Sequence, residues 1–113
     1  MDIDHLIDAT VHHYRCSRID VGVVRSPYRM CPLGAHIDHQ LGPVTAMAVA
    51  QAVYLAFAPT NDRTVRLRSL AFDGEVDFSI ADVPPPKDGD DWGNYPRGAV
   101  EALRSSHTEL CSR

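Results

Sequence analysis

Between Val44 and Pro59 the chain is almost uninterrupted in apolar residues, reading Val-Thr-Ala-Met-Ala-Val-Ala-Gln-Ala-Val-Tyr-Leu-Ala-Phe-Ala-Pro. Periodicity alone does not separate a buried helix from two buried strands in such a run, but its β-branched and aromatic members favour strands. Residues 65–80 also read as sheet. Val65 and Leu67 alternate with Arg66 and Arg68, and Val76, Phe78 and Ile80 alternate with Glu75, Asp77 and Ser79. Asp73-Gly74 lies between them, a pair suited to a two-residue type I′ turn. Closing the hairpin there sets Val76, Phe78 and Ile80 opposite Ala71, Ser69 and Leu67. Arg66 and Arg68 then share the polar face with Glu75 and Asp77.

Around this sheet the spacing predicts two helices. Ile3, Leu6, Ile7, Val11 and Tyr14 recur at helical intervals, so residues 1–16 form an amphipathic helix with His5, His12 and Arg15 off its apolar stripe. Val21, Val23 and Val24 start a strand running toward Pro27. Gly34 and Gly42-Pro43 mark turns, leaving Arg29 to Asp38 as a loop-rich passage between strands. The strand region extends over 20–83. The Pro84-Pro-Pro-Lys-Asp-Gly-Asp-Asp91 segment is an exposed connection, and residues 92–106 form a last helix. Asn94 is its expected cap, Pro96 is tolerated in its first turn, and Tyr95, Ala99, Ala102 and Leu103 form its apolar stripe.

The 113 residues are 44% hydrophobic and 23% charged, ordinary values for one globular domain or part of one. Net charge is −4 with no basic run, so electrostatics give no reason to expect nucleic acid or an anionic membrane as partner. Cys16, Cys31 and Cys111 form an odd set without Cys-x-x-Cys spacing, which argues for a reducing compartment, the cytosol by default. The acidic start of the chain lacks the pattern of a signal peptide, and no segment approaches the roughly 20 apolar residues that span a bilayer.

Chemistry concentrates in Ser26-Pro-Tyr-Arg-Met-Cys-Pro-Leu-Gly-Ala-His-Ile-Asp-His-Gln-Leu-Gly42, which sets a cation, a backbone turn and polar side chains between two apolar segments. Such an arrangement suits a small polar ligand. Arg29, Gly34, His36 and Asp38 match, in order and spacing, the first signature of the galactokinase branch of the GHMP sugar kinases. That signature runs approximately Gly-Arg-x-Asn-apolar-Ile-Gly-Glu-His-x-Asp-Tyr. The chain departs from it at Tyr28 for glycine, Cys31 for asparagine, Ala35 for glutamate and His39 for tyrosine. The Pro-Leu-Gly-Ala-His-Ile-Asp-His-Gln wording looks most like the galacturonic acid kinases of that branch. Trp92, Tyr95 and Gly98 resemble a second family segment, Trp-x-x-Tyr-x-x-Gly, so the likeness covers about residues 20 to 106.

The resemblance implies an α+β fold, a mixed β-sheet with helices packed on one side, of which residues 1–113 form a single, incomplete N-terminal domain. It implies ATP-dependent phosphorylation of a sugar's anomeric hydroxyl, with ATP and Mg2+ as cofactors and a small sugar acid as partner. By resemblance Arg29 sits beside the reacting hydroxyl as catalytic and substrate-binding residue. Asp38 accepts hydrogen bonds from sugar hydroxyls, His36 orients the same region, and Ala35 contributes space. In galactokinases the glutamate at that position binds the 6-hydroxyl. A 6-carboxylate would repel it, so alanine there admits a uronic acid such as galacturonic acid. Trp92, Tyr95 and Ser69 inherit a place near the adenine, although Trp92 and Tyr95 can equally serve to anchor the helix to the sheet.

Other readings are weaker. His36, Asp38 and His39 fall short of a full metal-ligand set, so no metal site is expected within the chain. His12 and His13 face different directions on a helix, and Cys31 has no identifiable base to make it a nucleophile. These residues include no Gly/Ser-rich phosphate loop of the kind that binds anions at a helix N-terminus. The general base and the metal ligands are also expected elsewhere, so the chain is expected to be a fragment, inactive alone and prone to self-association through an incomplete sheet. A non-catalytic, galactokinase-like sugar-binding or regulatory protein is the alternative.

Overall fold

In the computed structural model, which describes residues 2–107, the first helix, α1, spans Ile3–Tyr14. Asp2 caps it by accepting the Asp4 amide at 3.0 Å, and Arg15 ends it in the left-handed region at φ 53°. Arg18, in the short 3-10 turn Arg18–Asp20, folds back on the helix and pairs with Asp4 at 2.5 Å and with Asp8. Leu6, Ile7 and Val11 on the apolar stripe are half-buried, while Ile3 and Tyr14 at its ends are exposed.

Strand β1 covers Gly22–Met30 and strand β2 covers Met47–Phe57, paired antiparallel from Gly22 opposite Phe57 to Met30 opposite Met47. The apolar run therefore becomes one long strand. Helix α1 lies against β2, whose Ala52, Tyr54 and Ala56 are half-buried on one face. The other face, with Val53, Leu55 and Phe57, is exposed. β1 does not stop at Pro27. It continues through a bulge between Pro27 and Arg29, so Arg29 lies on a strand opposite Ala48 and not in the loop-rich passage that the sequence suggested. Proline has no N–H to give the ladder and is accommodated in strands at such irregularities.

A second unit begins at Thr60. Strand β3, Thr64–Arg68, pairs antiparallel with β4, Glu75–Ser79. The register differs from a two-residue turn by four residues, because Leu67 faces Val76 and Val65 faces Phe78. Ser69 explains the wider loop. Its hydroxyl accepts the amides of Ala71 at 3.0 Å and Phe72 at 3.1 Å, and the Asp73 carbonyl accepts the Trp92 indole N–H at 3.2 Å. Gly74, at φ 87°, ends this loop where it re-enters the strand. An even slip preserves the faces, so Val76 and Phe78 remain inside at 3% and 4% exposure.

Helix α2 spans Asn94–Ser106. Asn94 does not cap it. Its amide side chain instead clamps Lys87, accepting the Lys87 amide and donating to the Lys87 carbonyl, both at 2.9 Å. Asp91 holds the helix start, accepting the Gly93 amide at 2.8 Å and pairing with Arg97 at 3.4 Å. Arg97 is only 6% exposed, and a Cβ on Gly93 would come within 2.8 Å of both Val76 and Arg97. The helix thus packs through Gly93, Arg97 and Arg104, whose guanidinium donates to the Ala81 carbonyl at 2.6 Å. The expected stripe lies open, with Tyr95 83% and Leu103 55% exposed.

Together the described residues form two helices and two small antiparallel sheets, an α+β composition. Among the described residues no helix is long and apolar enough to cross a membrane.

The Gly93 amide above all, with the charges of Arg97 and Lys87, holds the Asp91 carboxyl below its ordinary value against the opposing effect of partial burial. Asp62 is lowered likewise, first by its hydrogen bond from Arg66 and then by the Thr64 amide. A carboxyl depressed in the folded state stabilises it fully above the unfolded value of about 3.9 and loses that contribution as pH falls through the folded value. Acid is therefore expected to loosen the 60–113 unit from about pH 4 downward. Asp91→Asn should flatten the acid limb seen in Trp92 fluorescence; an unchanged pH profile would count against this role.

Candidate functional site

β1 and β2 deliver both limbs of the 31–46 loop to one end of their hairpin, where Arg29 also lies. Arg29 is exposed, and among the described residues its guanidinium has no hydrogen-bond or ion-pair partner. Its strand position is set by the neighbouring bulge, and Arg25 braces that bulge. The Arg25 guanidinium donates to the Ala50 carbonyl at 2.6 Å and to the Tyr54 hydroxyl at 3.3 Å. Ala50 lies in the part of β2 without a paired partner, so Arg25 satisfies an acceptor that the bulge leaves over. Nothing in the sequence singled Arg25 out, because its role depends on a register visible only once the strands pair.

Inside the loop the backbone makes a compact turn. Gly34 takes φ 88°, a conformation that favours glycine, and a Cβ there would lie 2.7 Å from the Pro43 carbonyl oxygen. The Ile37 amide donates to the Gly34 carbonyl at 3.2 Å, which places Ala35 and His36 on an exposed turn. Asp38 opens a 3-10 turn, Asp38–Gln40, and the Gln40 and Gly42 amides both return to the Ile37 carbonyl. Ile37 covers Gly42, where a Cβ would meet its side chain at 2.9 Å. The fold thus gathers Arg29, Ala35, His36 and Asp38 within one hairpin end. Among the described residues no group of three or more His, Cys, Asp or Glu side chains is placed to hold a metal ion.

In the second unit, Ser69 and Trp92 meet at the 69–74 loop. Trp92 stacks on Phe72 with ring centroids 6.4 Å apart and planes inclined by 21°, and its indole N–H is taken by Asp73. Tyr95 stands one turn along, largely in solvent. Trp92 is thus held on the 69–74 loop, whereas Tyr95 is 83% exposed. The sequence pattern missed Arg97, a cation in a helical position that the apolar stripe left unmarked.

Residues 11–59, which hold the end of α1, both strands of the first hairpin and the loop, match the family model described as the galactokinase galactose-binding signature. These residues carry the signature that galactokinases use, and the chain is similar to sugar kinases of the galactokinase branch. A galacturonokinase of Arabidopsis thaliana is 44% identical over 106 residues, a match covering 80% of this chain and 25% of the relative. A galactokinase of Halalkalibacterium halodurans is 36% identical over 92 residues, covering 80% of this chain and 23% of the relative. The galactokinase-like chain thus spans about a quarter of the length of the curated relatives it matches. No solved structure matches it.

Proposed function

We propose that the chain is the sugar-binding N-terminal part of a galacturonokinase, which transfers phosphate from ATP to the anomeric hydroxyl of D-galacturonic acid and yields galacturonic acid 1-phosphate. The observation that carries this reading is Ala35 on the exposed turn after Gly34, where galactokinases have an acid. The turn leaves both space and neutrality for a 6-carboxylate, and the greater identity to a galacturonokinase than to a galactokinase agrees with that choice.

Each residue then has a definable task. Asp38 accepts from sugar hydroxyls, and His36 beside it orients the ring. Arg29, an exposed cation, lies against the anomeric hydroxyl and favours its alkoxide by charge. ATP supplies the phosphoryl group, with Mg2+ held by residues outside these 113. The groups present fit an adenine: Tyr95 offers an open ring face, Trp92 is fixed in orientation, and the Ser69 hydroxyl, already accepting two amides, still has its proton to donate. Without a phosphate loop the 113 residues bind sugar but do not turn it over. The open face of β2 supports self-association of the chain alone, and the free thiols Cys16 and Cys31 agree with the reducing cytoplasm.

The test is a titration of the isotopically labelled chain with galacturonate and with galactose, followed by amide NMR. Shifts centred on residues 29–38, larger for galacturonate at equal concentration, are the expected result. A chain that responds to neither sugar would sink the proposal.

A further inference from the structure

We propose that Thr45 is a positioning residue for the sugar site, locking the neck of the 31–46 loop so that Ala35 and His36 keep their places; the inference rests on the sugar-binding reading above. β1 and β2 stop pairing at Met30 and Met47, and just beyond them the two limbs meet again at Leu33 and Thr45. The Thr45 amide donates to the Leu33 carbonyl at 3.0 Å. A paired strand would return a second bond from backbone to backbone. Here the side chain takes that part. The Leu33 amide donates to the Thr45 hydroxyl oxygen at 3.1 Å, and the same hydroxyl lies 3.4 Å from the Leu33 carbonyl, to which it donates. A hydroxyl has one proton to give and two lone pairs to accept with, so one side chain closes both directions.

The closure acts directly on the site. Gly34 follows Leu33 in the left-handed region, packed so closely on Pro43 and Val44 that a Cβ would come within 3.0 Å of both. The turn that carries Ala35 and His36 starts from this contact, through the Ile37 amide and Gly34 carbonyl. When the neck opens, the limbs part and Ala35 moves with Gly34. Thr45 lies outside the Arg29–Asp38 motif, and its place in an apolar run hides it from a reading of the sequence.

Valine is the informative substitution, since it keeps the volume and β-branching of threonine while removing the donor and acceptor. Serine restores the hydroxyl. In the full chain, Thr45→Val should speed amide exchange at Leu33 and Ile37 about fivefold and weaken galacturonate binding by a similar factor, the worth of one partly exposed hydrogen bond. Thr45→Ser should bring both back to within about twofold of the parent. If the parent binds galacturonate and Thr45→Val binds it equally well, the positioning role is wrong and the sugar-binding reading stands. If valine and serine weaken binding alike, the hydroxyl is not the agent and the inference also fails. A parent chain that binds no sugar overturns both.

Discussion

Ala35→Glu is expected to reverse the sugar preference of this chain, lowering its affinity for galacturonate by about a hundredfold while leaving galactose binding equal or improved. On the proposed reading, the new carboxylate would stand where the carboxylate of galacturonate enters. Two like charges about 4 Å apart repel by roughly 1 kcal/mol in water and roughly 4 kcal/mol at the effective dielectric near a protein surface. The turn is exposed before a sugar arrives and drier once it is covered, so the effect should fall between these limits. It should also shrink as salt is raised, because screening acts on the repulsion and not on hydrogen bonds to galactose. Ala35→Gln supplies the control for size. If glutamine impairs galacturonate as much as glutamate does, space rather than charge governs this position. Should neither variant change the ratio of the two affinities by titration, Ala35 does not select the sugar.

The legibility of this fold tracks the range of the interactions that decide each part. Alternation at Val65, Leu67, Val76 and Phe78 was readable because period two is a property of a single strand, and the faces it implied are those seen. The register was not, because it depends on Ser69 turning back on the amides of Ala71 and Phe72 and on Trp92 reaching Asp73. The same distinction separates the two helices. The stripe of α1 from Leu6 to Val11 does lie on the half-buried side, whereas α2 buries Arg97 and leaves Tyr95 and Leu103 out. A cation becomes a core residue only when Asp91 and Asn94 are there to receive it, at 3.4 and 3.0 Å. At the candidate site, the residue types in the motif were visible through their match, in order and spacing, to the signature they resemble. Their support was hidden, since Arg25 and Thr45 act through a bulge and a loop neck that exist only after β1 and β2 pair.

Phe78→Ala should destabilise the 60–113 unit by about 3–5 kcal/mol, the range for deleting a buried aromatic ring from a core that relaxes only partly. Val76 and Phe78, at 3% and 4% exposure, are the buried apolar side chains among the described residues, so this unit has little other interior to redistribute the loss. Small domains are stable by only about 5–15 kcal/mol, and the deletion removes much of that margin. Trp92 is the only tryptophan in the chain, which makes its fluorescence a local reporter in urea denaturation. Leu103→Ala is the matched comparison. With Leu103 55% exposed, its truncation should change stability by no more than about 0.5 kcal/mol, although the sequence gives it the more conventional place on a helical apolar stripe. Equal losses for the two variants would mean that α2 buries the Tyr95–Leu103 stripe in solution. A small loss for Phe78 alone would mean that the inner face of the β3–β4 hairpin is not where this unit holds itself together.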